Sequence, residues 1–131
     1  MAFLIDADWA IDALSGRRNA RSLLASLMGE GVSISWVTLG EICEGAFNSS
    51  DPRSHLDVFR DYLAFISVVD LNDDIMERFA AIRAYLRRTG QMIPDFDIVL
   101  AATAIHYDLT FLTYDLRHFQ RIPGLKLYGS E

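Results

Sequence analysis

The sequence predicts an α/β fold with a mostly parallel central sheet covered by helices on both faces. Short apolar runs rich in β-branched residues alternate along the chain with longer stretches whose apolar residues recur at helical spacing. Acidic residues follow several of the short runs, as expected where the carboxyl ends of parallel strands meet at one crevice. The 131 residues contain no repeat or linker, so we expect one domain over residues 1–131.

The amino-terminal half is expected to hold two strands and four helices. Short apolar runs predict strands near 2–6 and 33–37. Apolar residues at helical spacing predict helices near 8–14, 17–28, 39–47 and 52–65. In the second of these helices, one face carries Ala20, Leu23, Leu24, Leu27 and Met28.

The carboxyl-terminal half is expected to add three strands and three helices. The β-branched run from Ile66 to Val69 favours a strand near 66–70. Further short apolar runs predict strands near 110–113 and 126–128. Helical patterns predict helices near 73–88 and 96–107 and a short helix near 115–120.

The composition is that of a globular protein in a reducing compartment. Hydrophobic residues make up 51% of the chain, yet no run is long enough to span a bilayer. The first apolar run ends at Asp6, which does not fit a signal peptide, and the single Cys43 cannot form an intrachain disulfide. We therefore expect a cytoplasmic protein without membrane association, in which Cys43 is a small buried hydrophobe.

The charge of the chain is negative, but its cations are clustered. A net charge of −6 argues against nonspecific adhesion to nucleic acid. All but one of the 12 basic residues are arginines, which suit bidentate phosphate contacts. The clusters are Arg17, Arg18 and Arg21; Arg83, Arg87 and Arg88; and Arg117 and Arg121. They could bind a polyanion along one edge, although arginine-rich solvated helix faces are also common.

Four acidic residues end apolar runs or lie in the first turn of a helical pattern: Asp6, Glu41, Asp97 and Asp115. In a parallel α/β sheet these positions converge on one crevice. Carboxylates held close together repel each other and raise one another's pKa unless a hard divalent cation binds them. The pattern therefore predicts one site for Mg²⁺ or Mn²⁺.

Helix capping offers a structural alternative for several acids. Asp8 is expected to be mainly the N-cap of the first helix, Asp95 that of the helix near 96–107, and Asp115 fits the cap of the short helix. Asp97 shares a side with the apolar face of its helix, which is unfavourable for a carboxylate without a cation. Asp97 is therefore expected to be a metal ligand.

Thr38 and Glu41 fit a capping box, in which each side chain accepts a hydrogen bond from the other residue's backbone N–H. A helix that begins with this box would directly follow a strand, at the crevice. Glu41 could therefore be part of the helix cap or part of the metal site. Glu44 lies one turn further on the same face. We expect Glu44 to lie beside the metal ligands or to be simply solvated, and Asp8 to lie beside them if it is not only a helix cap.

The histidines are expected to play a smaller part. His55 and His106 fit surface and helix-end positions. His118 either reaches a phosphate or the acidic site, or it packs and satisfies a hydrogen bond, and the second interpretation is favoured. No arrangement of Ser, Cys and His supports a nucleophilic triad.

With these residues in view, the chain resembles a PIN-domain protein of the VapC class, the toxins of bacterial toxin–antitoxin pairs. The resemblance covers nearly the full length and is most specific in its last two segments. It rests on Phe3 to Asp6, Val37 to Glu41, Asp97 to Ala104, Leu112 to Asp115 and His118 to Leu125. Two positions depart from many relatives, which carry Asn in place of Asp8 and Asn or Arg in place of Tyr114.

The resemblance implies a PIN-like three-layer sandwich and a Mg²⁺- or Mn²⁺-dependent endoribonuclease that cuts cellular RNA. Such proteins are usually dimeric and are held inactive by a cognate, VapB-like antitoxin. By motif position Asp6 and Asp97 would bind metal directly, and Asp115 would bind the same metal or a second one. Glu41 would bind metal through water or position the nucleophile, and Thr113 would be a polar partner. Arg17, Arg18 and Arg117 are expected to contact RNA phosphates.

Two other functions fit part of the pattern. Asp6-Ala7-Asp8 after a strand imitates the nucleophile motif of haloacid-dehalogenase phosphotransferases. That chemistry needs a lysine before the late acidic pair, whereas the only lysine, Lys126, follows Asp115. The other is a non-enzymatic module whose acids are caps and whose crevice receives a basic peptide. Metal-dependent phosphodiester cleavage distinguishes this module from a nuclease.

Overall fold

Strands and helices alternate along most of the chain, as the sequence predicts. A computed structural model describes residues 2–129. The strands are β1 Phe3–Ile5, β2 Val32–Ser35, β3 Ser67–Val69 and β4 Thr110–Leu112. The helices are α1 Ala7–Ser15, α2 Ala20–Leu27, α3 Trp36–Phe47, α4 Pro52–Leu63, α5 Asp73–Arg88, α6 Asp95–His106 and α7 Leu116–Phe119, with a short 3₁₀ helix at Met28–Glu30. Within residues 2–129, no helix has both the length and the apolar character needed to cross a membrane.

The four strands form one parallel sheet in the order β3-β2-β1-β4. Phe3 in β1 lies opposite Val32 on one side and Thr110 on the other. The chain therefore builds β2 and β3 on one side of β1 and returns to add β4 on the opposite side. A reversal of this kind leaves a crevice at the carboxyl ends of the strands, between β1 and β4.

Successive residues of each strand face opposite layers of helices, because side chains alternate along a strand. Leu4 and Phe111 lie in the core shared with α5 and α6. Ile5 and Leu112 lie in the core shared with α1, α2 and α4. The molecule is thus a three-layer α/β/α sandwich, and the predicted fold class is confirmed.

Several predicted boundaries are wrong, each for a local reason. The strand near 33–37 ends at Ser35, whose Oγ accepts a 3.0 Å hydrogen bond from the Val37 backbone N–H and so begins α3 at Trp36. The helix near 17–28 begins only at Ala20. In place of the strand near 126–128, the described chain has a single bridge between Leu127 and Phe111.

Cys43 was expected to be buried, but it is only half-buried on α3. Its neighbour Ile42 takes the fully buried position on that helix.

Candidate active site

Asp6 and Thr113 meet at the crevice between β1 and β4. The Asp6 backbone N–H donates a 2.9 Å hydrogen bond to the Leu112 carbonyl, which extends the pairing of the two strands by one residue. Beyond this point the Thr113 hydroxyl donates to Asp6 Oδ2 at 2.9 Å. The Ala7 N–H donates to Asp6 Oδ1 at 2.8 Å. Both carboxylate oxygens of Asp6 are therefore held in place.

Asp6 is the N-cap of α1, and the prediction that Asp8 would be this cap is wrong. The helix begins at Ala7, immediately after the strand, so Asp8 falls in the first turn with an exposed side chain. Burial raises the pKa of Asp6 from 3.8 to about 6, and Asp97 and Asp8 add to the increase, although the bonds from Thr113 and Ala7 oppose it.

Glu41 projects from the second turn of α3. The predicted capping box with Thr38 is wrong, because Ser35 caps the helix and Thr38 is fully buried. Glu41 Oε1 is buried and has no hydrogen-bond partner among the described residues. Burial, followed by repulsion from nearby acids including Asp6 and Asp97, raises the pKa of Glu41 from 4.5 to about 7. Glu41 is thus a half-buried acid with one buried oxygen that has no hydrogen-bond partner among the described residues.

Asp97 lies in the first turn of α6. The N-cap of this helix is Pro94, which forms no side-chain cap, so the prediction that Asp95 would be the cap is wrong. Asp95 instead pairs with Arg83 at 2.9 Å on the surface. Asp97 is half-buried, and its pKa is raised mainly by burial. His118 opposes this increase, and Asp115 adds to it.

Asp115 and His118 complete the acidic side of the crevice. Asp115 caps α7, as predicted, by accepting a 3.2 Å hydrogen bond from the His118 backbone N–H. His118 Nδ1 lies 2.7 Å from Asp115 Oδ2 and 3.4 Å from Asp97 Oδ2. Potential ligand atoms of these three residues all lie within 4.8 Å of one another. His118 was expected either to reach the acidic site or to satisfy a hydrogen bond. It does both, because its contacts are with Asp97 and Asp115 inside the site.

Asp97 is common to two overlapping groups of acids. It lies next to Asp115 and His118, and its charge also raises the pKa values of Asp6 and Glu41. Carboxylate oxygens are the donors that hard divalent cations prefer. Partly buried carboxylates that raise one another's pKa, one of them with an unpaired, buried oxygen at Glu41 Oε1, form an arrangement that a bound cation would stabilise. The residues present therefore fit a divalent metal ion.

The two acids predicted to surround the ligands act on the site through their charge. Asp8 raises the pKa of both Asp6 and Glu41, and Glu44 raises that of Glu41. Glu44 itself is exposed and accepts a 3.4 Å hydrogen bond from Asn48. Neither acid is among the group of close ligand atoms identified within residues 2–129.

The predicted RNA-binding arginines differ in how they are held. Arg17 and Arg117 are exposed. The Arg18 guanidinium lies 4.5 Å from the centre of the Tyr114 ring and 3.5 Å from a carboxylate oxygen of Asp12. Sequence reasoning missed this contact, although the position of Tyr114 beside Asp115 could have drawn attention to it.

Comparisons with known proteins agree with this geometry. The family model for the PIN domain matches residues 3–125. The chain is 28% identical over 127 residues to the tRNA(fMet)-specific endonuclease VapC of Salmonella typhimurium, with 97% of this chain and 96% of the relative covered. It is 30% identical over 129 residues to ribonuclease VapC1 of Methanocaldococcus jannaschii, with 97% and 87% covered. The crystal structure of DNA-bound VapBC from Salmonella typhimurium superimposes with a TM-score of 0.89 at 27% identity, over 97% of this chain and 96% of that chain.

Proposed function

Because the chain belongs to the PIN-domain family and, within it, to the VapC ribonucleases, we propose that it is an endoribonuclease that uses Mg²⁺ or Mn²⁺ to hydrolyse phosphodiester bonds in cellular RNA. The observation that carries the proposal is that Asp6, Glu41 and Asp97 meet at the crevice between β1 and β4, where burial raises the pKa of all three and Asp97 adds to the increase at Asp6 and Glu41. Such a cluster is costly without a cation and suited to binding one.

The four acids divide into metal ligands and a proton acceptor in this proposal. Asp6, Asp97 and Asp115 hold the metal through their carboxylate oxygens. When bound, the metal supplies a water of lowered pKa and positive charge beside the phosphodiester. Glu41, whose pKa is about 7, accepts a proton at its unpaired Oε1 and orients the attacking water.

Thr113 and His118 position the acids. The Thr113 hydroxyl donates to Asp6 and accepts a 3.0 Å hydrogen bond from the Asp115 backbone N–H, so one side chain connects two of the ligands. His118 spans Asp97 and Asp115. Residues that orient metal ligands in this way commonly affect metal affinity almost as strongly as the ligands do.

We also propose that a VapB-like antitoxin inhibits the enzyme by placing an arginine in the acidic crevice. The similar Salmonella structure is of VapBC. A guanidinium can bridge two carboxylates with its planar fork. The apolar residues flanking that arginine would lie on an apolar groove between α2 and α4, which has a volume of about 240 Å³. The groove is lined by Arg21, Leu24, Ala25, Met28, Asp61, Tyr62, Phe65 and Ile66.

Exposed aromatic side chains are the candidate anchors for the antitoxin. Phe65 is 82% exposed at the groove, and Phe47 is 64% exposed. Trp9 is buried against Tyr114 and is not available for this contact. Homodimerisation, cytoplasmic localisation and folding of the chain as one PIN domain complete the proposal.

The experiment that tests this function maps new RNA 5′ ends in cells after brief expression of the wild type or of Asp97→Asn. Wild-type expression should create ends at recurring positions that the variant does not produce. The initiator tRNA is the first RNA to inspect, since the Salmonella relative is named for it. Identical sets of ends in both cultures would contradict the proposed nuclease.

A further inference from the structure

Next to the carboxylates, three side chains form a stacked column. The Tyr114 ring stacks on Trp9, with 5.1 Å between ring centres and 13° between planes. The Arg18 guanidinium lies 4.5 Å from the centre of the same Tyr114 ring. The Tyr114 ring therefore contacts both the Trp9 indole and the Arg18 guanidinium. The column thus ends in a guanidinium placed over an aromatic ring.

The position of Arg18 is maintained by more than the ring. Asp12 is only 8% exposed, and its Oδ2 lies 3.5 Å from Arg18 Nε. Arg18 has a φ value of 53°, in the left-handed region that arginine rarely adopts, and the following Asn19, a residue that accepts this region more readily, has a φ value of 58°. Strained backbone of this kind persists where the surrounding contacts enforce it, and it clusters at functional sites. The loop therefore holds Arg18 in one place at a conformational cost.

The column adjoins the acidic crevice. Tyr114 lies between Thr113 and Asp115, which are joined by the 3.0 Å bond from the Asp115 N–H to Thr113 Oγ1. Trp9 is in the first turn of α1, three residues after Asp6, which caps that helix. At the rise of an α-helix, Asp12 lies roughly 9 Å along α1 from Asp6. A strand with its scissile phosphate at the carboxylates would therefore pass Arg18 with a neighbouring nucleotide.

We propose that Arg18 binds a backbone phosphate of the RNA strand beside the scissile one, and that Trp9, Tyr114 and Asp12 hold its guanidinium ready for that contact. The inference rests on the proposed ribonuclease function and names a subsite for its substrate. The Arg18 side chain is 64% exposed, and Asp12 engages Nε, so the terminal nitrogens are available for a bidentate phosphate contact. A chain of net charge −6 with an acidic crevice needs a fixed cation at the path of a polyanion.

The test measures binding of a short, fluorescent, single-stranded RNA in the Asp97→Asn background with Mn²⁺ present, so that no cutting occurs. Arg18→Gln should weaken binding about tenfold, as expected for one charge-assisted contact. It should also lower the slope of log affinity against log salt by about 0.7, the value for one phosphate on a single strand. The matched control is Arg88→Gln, an exposed arginine on α5 in the opposite helical layer, which should change neither quantity.

Further variants separate phosphate binding from a structural role. Arg18→Lys should retain the salt slope while losing affinity, because it keeps the charge and loses the planar fork. Arg18→Gly, which relieves the positive φ, should reproduce the binding loss of Arg18→Gln even if the glutamine variant folds poorly. Tyr114→Leu, which removes the ring beneath the Arg18 guanidinium, should also lose affinity.

Three outcomes would overturn the proposal. An unchanged salt slope in both Arg18→Gln and Arg18→Gly, with wild-type RNA cleavage intact, would remove Arg18 from the RNA path while the nuclease function stands. If an Arg18 variant that retains Asp97 has a lower kcat but an unchanged KM and salt slope, Arg18 only stabilises the loop that contains Tyr114. The binding can also be measured with homopolymer RNAs of different bases. If the affinity lost in Arg18→Gln depends on the base while the salt slope is unchanged, Arg18 stacks on a base instead of binding a phosphate. Absence of cutting by the wild type would count against the ribonuclease function itself.

Discussion

The Thr113 hydroxyl donates a 2.9 Å hydrogen bond to Asp6 Oδ2, across a separation of 107 residues in the chain. The contact connects the loop after β4 to the end of β1, the two strands between which the sheet order reverses. It orients one carboxylate of the proposed metal site and lowers the pKa of that carboxylate against the effect of burial. The sheet topology is in this way coupled directly to the chemistry of the site.

Replacing Thr113 with Val should weaken metal binding. Without the hydroxyl, the pKa of Asp6 should rise further above its value of about 6, so protons compete better with the metal near neutral pH. We expect the Mn²⁺ affinity measured by calorimetry to fall about tenfold or more at pH 7, and by less at higher pH. Thr110→Val, at the other end of β4, is the matched control. Equal affinities in both variants would show that the hydroxyl does not tune the site.

The metal-free protein should lose stability as the pH rises from about 4 to 7. The carboxyl pKa values of Asp6 and Glu41 are raised in the folded state, from 3.8 to about 6 and from 4.5 to about 7. Both groups therefore bind protons more tightly when the chain is folded, and deprotonating them destabilises the fold. The loss of stability is absent below about pH 4 and complete above about pH 7. Saturating Mn²⁺ should reverse the trend in melting temperature, whereas the same trend with and without Mn²⁺ would contradict this account.

Asp6→Asn should make the metal-free protein more stable at pH 7. Asn is as good an N-cap as Asp, so the bond from the Ala7 N–H is retained while the unfavourable charge is removed. We expect a gain of about 1–3 kcal/mol in the free energy of unfolding at pH 7, shrinking towards pH 4. The control is Asp8→Asn, an exposed acid two residues away. Urea unfolding in EDTA across this pH range provides the comparison, and a loss of stability in Asp6→Asn at pH 7 would argue against repulsion in the crevice.

Asp97→Asn should abolish most of the stabilisation that metal gives the folded protein. A ligand present at about 100 times its Kd stabilises the native state by about 2.7 kcal/mol, so the wild type should melt several degrees higher in Mn²⁺. Asp95→Asn is a close control, because Asp95 lies in the same helical turn but points to Arg83 on the surface. Scanning calorimetry with and without Mn²⁺ should separate the two variants. Equal metal-induced shifts in both would mean that the cation binds elsewhere.

The sequence predicted the layers and the four acids because both follow from local patterns. Apolar runs mark the strands, and acids at their ends mark the crevice. The N-caps were predicted less well, since Ser35 and Thr38 are both good caps and only the tertiary burial of Thr38 decides between them. Asp6, and not Asp8, is the N-cap of α1 because only one residue separates the end of β1 from the start of the helix.

Contacts between distant side chains lay beyond the sequence. The placement of His118 between Asp97 and Asp115 depends on how α7 packs against α6. The stack of Trp9 on Tyr114 depends on β1 and β4 being neighbours in the sheet. Neither relationship has a periodic pattern or a fixed spacing that would reveal it.

Metal and antitoxin should compete for the acidic crevice. If an arginine of a VapB-like partner bridges the carboxylates, its replacement with Ala should restore RNase activity to the complex. Titrating the complex with Mn²⁺ should also recover activity in part. The partner should still bind after the substitution, through the apolar groove that contains Phe65 and Tyr62. Complete inhibition despite both changes would place the inhibitory contact elsewhere.

The most direct test of the central claim is cleavage of a purified RNA by the purified chain in Mg²⁺, in Mn²⁺ and in EDTA. The wild type and Asp95→Asn should cut the RNA at the same positions when either metal is present and should leave it intact in EDTA. Asp97→Asn should leave the RNA intact under all three conditions while remaining folded by circular dichroism. Equal cutting by the wild type and Asp97→Asn, or cutting that persists in EDTA, would contradict a metal-dependent site built on these carboxylates.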